Sequence, residues 1–392
     1  MQLDTILSKE CSGCLACLNI CPVQAITQEE DAYGFIIPKI NKENCIYCGA
    51  CERVCEFINP THKNIPLKTL AGFSKNKNVL KCSTSGGVFF ECAKQIIEKG
   101  GVVYGCAFSE NFTVCHIRVE RLDDLKKIQG SKYVQSAMGT IYHDVKRDLE
   151  DSRLVLFSGT PCEIAGVKHV IGDKKNLFTI EVICHGVPSQ RFFNDYLLYE
   201  SKKHKKEIVD FHFRDKRKGW RCSGSITFKT DDRRNYIKYI NISNSYYYYY
   251  YYLKKPEIYR ESCYICPFAR TERCADLTLG DYWRVERKHH DIDSKNGVSL
   301  ILINSIQGNN LIAMIKDAVI LYESELDYAK KFNKQLSYPT TKVKDRNILI
   351  DWSKLGVDGI LRNFHVPLKN KIAEKLKDIL PYKIKRMLKI VL

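Results

Sequence analysis

Residues 11–22 read CSGCLACLNICP and residues 45–56 read CIYCGACERVCE, so one spacing of four cysteines occurs twice within the first sixty residues. Each run has gaps of two, two and three residues, and Pro22 follows the first run. Two-residue gaps let three thiolates on one tight loop reach three corners of a cubane cluster. The duplicated spacing therefore predicts a ferredoxin-type domain with two [4Fe-4S] clusters over residues 1–60.

The ligands can be divided between the two clusters, because the fourth cysteine of each run binds the other cluster in two-cluster ferredoxins. This rule predicts one cluster on Cys11, Cys14, Cys17 and Cys55, and the other on Cys45, Cys48, Cys51 and Cys21. The alternative is zinc, which usually takes four ligands from two C-x2-C pairs separated by a longer loop. Four evenly spaced cysteines, present twice, favour clusters. Glu56 stands where proline would be usual, which leaves the ligand set unchanged.

The composition fits a protein of the cytoplasm. The chain has 392 residues, of which 44% are hydrophobic and 27% charged, and it contains 18 cysteines. Residues 1–20 show no apolar signal region, and no apolar run is long enough for a membrane span. Many cysteines without an export signal indicate metal ligation in a reducing compartment rather than disulfides.

The net charge of +17 favours anionic partners: a dinucleotide, a polyanionic coenzyme, acidic lipid or nucleic acid. Nucleic acid is not expected, because no recognition motif accompanies the charge. Eight basic side chains lie in residues 365–392, among apolar residues at near-helical spacing that Pro381 interrupts. This segment predicts either peripheral contact with the inner membrane surface or, as is more usual, a helix docked on its own protein.

After a linker at residues 60–66, predicted helices and strands alternate. Strands at 102–108, 153–157 and 177–184, with a helix at 163–171, predict a βαβ unit and hence a parallel sheet. Residues 211–245 are expected to form antiparallel strands, and the chain beyond Asp327 is polar and irregular in pattern. The fold class is therefore α+β: a small ferredoxin-type domain, then an α/β domain with a mixed, partly parallel sheet. The expected divisions are 67–150 and 151–320 as two parts of that domain, and 321–392 as an extension.

Residues 246–252 are seven consecutive tyrosines. A low-complexity tract is often disordered, but seven bulky aromatic rings bury a large apolar area when they pack. We expect a packed helix or strand that leads into Leu253.

A second group of cysteines follows predicted strands. Cys162 comes after one strand and Cys184 after the next, and α/β sheets place ligands at the carboxyl ends of their strands. Cys263 and Cys266 form a later C-x2-C pair. Four cysteines on three segments fit a third cubane, but buried free cysteines are common in protein cores. Spacing alone does not decide between these alternatives.

Six motifs occur in one order along the chain. They are residues 83–87 (STSGG), 101–105 (GVVYG), 130–136 (GSKYVQS), 159–162 (GTPC), 184–186 (CHG) and 276–283 (DLTLGDYW). Together they resemble the family of coenzyme F420 hydrogenase/dehydrogenase beta subunits, including bacterial members with a fused ferredoxin domain. The resemblance covers about residues 1–320.

The resemblance implies a flavoprotein with FAD and a further four-iron cluster, in a family whose members reduce a deazaflavin coenzyme or chlorophyll-type tetrapyrroles. It favours a third cluster on Cys162, Cys184, Cys263 and Cys266. Cys274 lies close by in sequence but breaks the pairing, so it is left outside this set. Five cysteines are expected to be core or surface thiols: Cys82, Cys92, Cys106, Cys115 and Cys222.

A phosphate-binding site is expected where Gly86 and Gly87 open a helix with free N–H groups, beside the hydroxyls of Ser83, Thr84 and Ser85. The alternative is an ordinary N-cap with small residues for packing, and only the resemblance favours the cofactor. It adds Lys132, Tyr133, Gln135, Ser136 and Thr160 as cofactor-binding residues. Lys132 and His185 are candidate catalytic residues. The alternatives are that Lys132 is an ordinary solvated lysine and that His185 has only a structural role. Asp281 is either a turn residue or an acceptor behind the ligands.

The sequence thus predicts an iron–sulfur flavoprotein oxidoreductase that passes electrons between FAD, an organic substrate and an external carrier. The alternative is an electron-transfer subunit without its own substrate, serving a partner enzyme, for instance in a redox step of polysaccharide biosynthesis. A nucleic-acid-binding iron–sulfur protein is suggested by the charge alone. The expected partners are a redox carrier or partner enzyme and a small-molecule or coenzyme substrate.

Overall fold

The computed structural model describes residues 10–220, 223–230, 235–241, 247–344 and 346–364. Cys222, Tyr246 and the basic segment 365–392 lie outside these residues, so the predictions made for them are not tested. Within the described part of the chain, no helix has the length and apolar character needed to cross a membrane.

The N-terminal domain is a hairpin between two short helices. Strands β1 (Ile26–Glu30) and β2 (Ile36–Ile40) pair antiparallel, and the helices are α1 (Ala16–Ile20) and α2 (Ala50–Arg53). Each cysteine run enters its helix through a left-handed residue, Leu15 in the first run and Gly49 in the second. The turn before each helix folds successive cysteines of one run toward the same region.

The rest of the chain contributes eleven further strands among its described residues: β3 (Lys68–Ser74), β4 (Val102–Phe108), β5 (Val114–Val119), β6 (Val155–Gly159), β7 (Leu177–Val182), β8 (Ile208–His212), β9 (Ser223–Phe228), β10 (Tyr236–Asn241), β11 (Leu277–Asp281), β12 (Ser299–Ile303) and β13 (Val319–Glu323). Eight of them form one sheet in the order β13-β3-β12-β11-β7-β6-β4-β5. Strands β4, β6, β7 and β11 are parallel to one another, and the remaining pairs are antiparallel. The predicted mixed, partly parallel sheet is confirmed.

The helices of this part are α3 (Lys77–Cys82), α4 (Val88–Glu98), α5 (Leu125–Ile128), α6 (Ile141–Glu150), α7 (Pro161–Ile171), α8 (Gln190–His204), α9 (Tyr247–Tyr249), α10 (Ile306–Ile315), α11 (Leu326–Phe332), α12 (Asn347–Leu355) and α13 (Val357–Asn363). Helices α4 and α10 pack on one face of the large sheet, and α6 and α7 pack on the other. Alternate residues of each strand point to opposite faces. Val102 therefore packs in the core with α6 and α7, and Val103 packs in the core with α4 and α10.

The tyrosine run is packed as a helix in its described part. Tyr247–Tyr249 form α9, and a π-helical turn at Tyr250–Lys254 continues it. Five of the six described tyrosines are buried in a core with the antiparallel sheet β10-β9-β8. Among the described residues of 211–245, the predicted antiparallel strands are present as the end of β8, β9 and β10. The Tyr252 ring stacks on Tyr133 with centroids 4.8 Å apart, so the run supports a residue of the predicted cofactor site.

The prediction of an irregular chain beyond Asp327 is wrong, since α11, α12 and α13 lie there. Helix α12 buries Ile348, Leu349 and Trp352, which recur at helical spacing among polar residues. The Trp352 indole donates a hydrogen bond of 2.8 Å to Asp195 of α8 and packs on Phe192. These three apolar residues are enough to dock the helix, although the segment beyond Asp327 is mostly polar in composition.

The ferredoxin-type domain is docked on the large sheet. Glu56, which replaces the usual proline, forms a buried 2.6 Å ion pair with Lys63 and lies 3.4 Å from His169 of α7. In the linker, Asn64 exchanges two backbone hydrogen bonds of 2.8 Å with Arg273. The linker therefore follows a fixed path, because its side chains and backbone both have partners in the sheet domain.

Candidate functional site

A cavity of about 900 Å³ lies at the carboxyl ends of the parallel strands. Its walls include Gly159 at the end of β6 and Thr160 directly after it, Cys184 and His185 after β7, and Asp281 at the end of β11. The volume is typical of a site for a large organic ligand, and this edge is where open α/β sheets bind ligands.

The described lining of the cavity is cationic. Three carboxylates line it (Glu163, Asp281 and Glu286), against six cations: Lys132, Arg214, Arg217, Lys254, Arg284 and Lys295. Unlike charges attract across a low-dielectric wall more strongly than in water. The cavity therefore favours an anionic ligand.

The serine and glycine motif forms one wall. Ser83, Thr84, Ser85 and Gly87 all line the cavity, and α4 begins directly after Gly87, whose φ is +81°. The first turn of a helix leaves backbone N–H groups without internal partners, and Val88 and Phe89 of this turn also line the cavity. This arrangement fits a phosphate group.

Gly86 does not belong to that wall. Its N–H donates to Ser299 Oγ at 3.0 Å, so it is not free for a ligand. An added Cβ would lie 2.3 Å from the carbonyl oxygen of Gly72. A side chain does not fit at residue 86, because the loop before α4 passes close to the backbone of strand β3. The motif at residues 83–87 gives no sign of this contact.

Of the other predicted cofactor residues, Lys132, Tyr133, Ser136 and Thr160 line the cavity, whereas Gln135 does not. The Gln135 amide faces the N-terminal hairpin: its Oε1 accepts from Ile36 N at 2.9 Å and its Nε2 donates to Ile36 O. An added Cβ on Gly13 would lie 2.4 Å from Gln135 Nε2. Gln135 thus joins two domains rather than contacting a ligand.

The two candidate catalytic side chains are both half-buried and line the cavity. The Lys132 ammonium donates to the carbonyls of Lys127, Gln129 and Gly130 at 3.1 to 3.2 Å. Burial lowers the pKa of Lys132 to about 8. Burial also lowers the pKa of His185 to about 4, against the opposing effect of Asp281, so its imidazole is neutral at pH 7.

Asp281 is an acceptor that organises one end of the cavity. It accepts from Arg214 at 2.9 Å and from Trp220 Nε1 at 3.0 Å. The Trp220 and Trp283 rings stack with centroids 5.0 Å apart. Sequence reasoning missed Arg214 and Trp220, because they follow β8 in an irregular segment without a motif. The only signal was Trp283 in the motif that contains Asp281.

Four thiols meet beside the cavity, and we call them the third thiol set: Cys162, Cys184, Cys263 and Cys266. Burial raises the pKa of Cys184, and the nearby thiols of Cys263 and Cys266 raise it further. Burial likewise raises the pKa of Cys162, with smaller contributions from Glu163, Cys184 and Cys266. Several thiolates this close together repel one another, which favours the protonated thiols. A bound cationic group would remove this repulsion and stabilise the thiolates.

The predicted clusters of the N-terminal domain also correspond to two groups of thiols. The inner thiol set is Cys11, Cys14, Cys17 and Cys55: burial raises the pKa of Cys17, and the other three raise it further. The outer thiol set is Cys21, Cys45, Cys48 and Cys51, which line one small cavity. In both sets a fourth cysteine comes from the other run.

The remaining described cysteines are not assigned to these sets. Cys274 is buried, and its thiol donates to Glu181 at 3.1 Å. Cys92 is buried in the core and Cys82 is exposed, while Cys106 lines the cavity. Among the described side chains, no three of His, Cys, Asp or Glu are arranged to hold a metal ion. A cubane is larger than an ion and takes cysteine ligands that lie further apart.

A family model described as the C terminus of the coenzyme F420 hydrogenase/dehydrogenase beta subunit matches residues 152–357, more than half of the chain. The chain belongs to this family. A model of a 4Fe-4S dicluster domain matches residues 10–58. The resemblance inferred from the motifs is thereby confirmed. The chain is an iron–sulfur electron-transfer protein with a ferredoxin-type N-terminal domain, related to a family of oxidoreductase subunits.

Three curated relatives agree with this assignment. The F subunit of F(420)H(2) dehydrogenase from Methanosarcina mazei is 22% identical over 82% of this chain and 86% of its own length. Ferredoxin 7Fe of Hydrogenibacillus schlegelii is 33% identical over 19% of this chain and 95% of its own. A polyferredoxin-like protein of Methanocaldococcus jannaschii is 31% identical over 16% of this chain, and the match spans only 42% of that relative.

A solved structure also aligns with the chain. It is a chain from the F420-reducing [NiFe] hydrogenase complex of Methanosarcina barkeri, with 13% identity and a TM-score of 0.48. The alignment covers 69% of this chain and 89% of that one.

Proposed function

We propose that the protein is an FAD- and iron–sulfur-dependent oxidoreductase that passes electrons between an organic substrate at the cavity and an external carrier at the N-terminal domain. One observation carries this proposal: the third thiol set lies between the cavity and the inner thiol set. Cys184 lines the cavity. At the other side, helix α7, which carries Cys162, packs on the loop of Cys14: the backbone position of Gly166 in α7 places a Cβ 3.4 Å from Cys14 Cβ.

The twelve cysteines of the three sets are the proposed ligands of three [4Fe-4S] clusters. Backbone N–H groups point at sulfurs in both N-terminal sets, with Gly13 N 3.3 Å from Cys11 Sγ and Ala25 N 3.2 Å from Cys21 Sγ. The Thr160 hydroxyl lies 3.1 Å from Cys162 Sγ. Hydrogen bonds to cluster sulfurs are among the features that set reduction potentials.

FAD is the proposed occupant of the cavity. The first turn of α4 and the hydroxyls of Ser83 and Thr84 would hold its phosphates, and the Lys132 ammonium adds positive charge at the wall. FAD would supply hydride or electron-pair exchange with a substrate and single-electron exchange with a cluster. His185 is neutral at pH 7, so its imidazole would not act as a cationic proton donor to the ligand.

The outer thiol set is the proposed exit to a carrier or partner enzyme. Cys48 is exposed, and the neighbouring Ile46 and Tyr47 are 59% and 65% exposed. The second candidate function, an electron-transfer subunit without its own substrate, is favoured by the relative that is named as one subunit of a dehydrogenase. Purified protein distinguishes the two: bleaching of the flavin by F420H2 or another hydride donor alone supports the enzyme, and turnover only with a partner supports the electron-transfer role.

The composition of the anaerobically purified protein tests the whole proposal. We expect about twelve irons, about twelve sulfides and about one FAD per chain. About eight irons without flavin would restrict the protein to the ferredoxin role and defeat the proposal. Eight irons with FAD would remove only the third cluster.

Replacing Lys132 with methionine is expected to weaken FAD binding about tenfold, because positive charge is lost from the wall where the phosphates would bind. The affinity for riboflavin, which has no phosphate, should not change. Lys127→Met is the matched control, since Lys127 is exposed and pairs with Asp124 at the surface. Flavin fluorescence titration of the apoprotein measures both affinities. An equal loss for riboflavin would show that Lys132 supports the fold of the wall rather than the phosphates.

A further inference from the structure

Tyr142 lies between the inner and the third thiol sets. It is the second residue of α6, and it is fully buried. Its hydroxyl donates to the carbonyl of Cys14 at 2.9 Å and lies 3.4 Å from the carbonyl of Glu163. One side chain therefore contacts the loop of the inner thiol set and the helix turn that carries Cys162.

The same hydroxyl has cysteines of both sets within electrostatic range: Cys14 and Cys17 of the inner set, and Cys162 of the third. Its neighbours are fixed in turn. The Asn19 amide of α1 donates to Gly139 O at 2.8 Å, and the imidazole of His143 lies 2.9 Å from Asn19 O. The start of α6 is thus held to α1 on both sides of Tyr142.

Gly166 in α7 makes this close approach possible. An added Cβ there would lie 2.6 Å from Tyr142 Oη and 3.4 Å from Cys14 Cβ. Glycine is used where a backbone must approach another group closely. The α7 backbone therefore reaches the tyrosine hydroxyl directly, with no side chain of residue 166 in between.

We propose that Tyr142 is a positioning residue that fixes the inner thiol set against Cys162, so that single electrons pass directly between the clusters bound at these two sets. In each transfer one cluster loses an electron and the other gains it. No covalent bond is formed or broken, and the buried phenol keeps its proton. This inference rests on the proposed function, because it requires a cluster at the third thiol set.

The test uses the reconstituted full chain with its flavin. Tyr142→Phe keeps the ring and removes both contacts of the hydroxyl. Tyr104→Phe is the matched control, because Tyr104 is equally buried and its hydroxyl donates to Asp148, away from the cysteines. Gly166→Ala is a second variant that displaces the tyrosine hydroxyl without removing it.

Flash photoreduction of the flavin, followed by the appearance of reduced clusters in the N-terminal domain, gives the internal transfer rate. We expect Tyr142→Phe and Gly166→Ala to lower this rate about tenfold, since small misplacements of reacting groups have large effects on rate. Iron content and midpoint potentials should not change, and Tyr104→Phe should match the wild type. In the fully reduced protein, Gly166→Ala should also weaken the magnetic coupling between these clusters in the EPR spectrum.

A Tyr142→Phe rate equal to that of the wild type would overturn the inference. A slower rate accompanied by loss of iron would overturn it as well, since the residue would then support cluster assembly rather than spacing. A wild-type protein with eight irons and FAD would lack the third cluster, so this inference would fall while the flavin-dependent part of the proposed function would stand. Eight irons without FAD would overturn both.

Discussion

Cys162→Ser is expected to remove about four irons per chain and to cut electron flow from the flavin to a one-electron acceptor by at least about a hundredfold. The serine hydroxyl is a poor ligand compared with thiolate. The remaining thiols, Cys184, Cys263 and Cys266, supply only three of the four ligands that a cubane needs. The eight cysteines of the N-terminal domain do not involve residue 162, so their two clusters and their EPR signals should remain.

Cys274→Ser is the matched control for this prediction. Cys274 is buried close to Pro161 and donates to Glu181, a role that a serine hydroxyl can take over. This variant should keep about twelve irons and its electron flow. Iron analysis, flavin content and cytochrome c reduction after photoreduction of the flavin are measured on both variants. If Cys274→Ser loses four irons and Cys162→Ser does not, the third ligand set has been assigned incorrectly.

The parts of this protein that were predictable from sequence are those in which the signal is local. The two cysteine runs lie on single loops, so their spacing alone reports the geometry of a cubane. Strand β4 was predicted with its observed bounds, because a short apolar run follows a pair of glycines that ends a helix. The third thiol set needed the resemblance, since its members come from three segments that only the sheet brings together.

The remaining features depend on contacts between distant segments. Gly86 and Gln135 belong to motifs that look like ligand sites, yet one packs against strand β3 and the other binds the N-terminal hairpin. Arg214 and Trp220 follow β8, and they reach the cavity because both donate hydrogen bonds to Asp281 at the end of β11. None of these partners is near in sequence, so periodicity and motif spacing carry no information about them.

The position of Glu56 gives the N-terminal domain a second function besides holding clusters. In place of proline, a carboxylate pairs with Lys63 in the linker and approaches His169 of α7. Together with Gln135 and Tyr142, it fixes the domain on the sheet at several points. A docked domain holds the inner thiol set at one distance from the third set, whereas a domain on a free linker would sample many distances.

Removal of iron is expected to unfold the N-terminal domain while the large sheet remains folded. This domain has one two-stranded hairpin and helices of five and four residues. Helices shorter than about 12 residues and isolated hairpins are marginal in water. Its folding free energy must therefore come largely from the bound clusters, as in other small metal-binding domains.

Hydrogen exchange before and after oxidative chelation of the iron measures this effect. We expect protection in β1, β2, α1 and α2 to fall by about a hundredfold or more, which corresponds to about 2.7 kcal/mol of local stability. Strands β6 and β7 lie inside the large sheet, and each is hydrogen-bonded to a neighbouring strand on both sides, so their protection should persist. Cys162→Ser is the control, because it lacks only the third cluster and should leave the N-terminal domain protected. If protection of the hairpin survives in the iron-free wild type, the docking contacts of Glu56, Gln135 and Tyr142 are sufficient to fold the domain. The clusters would then bind to a preformed scaffold rather than create it.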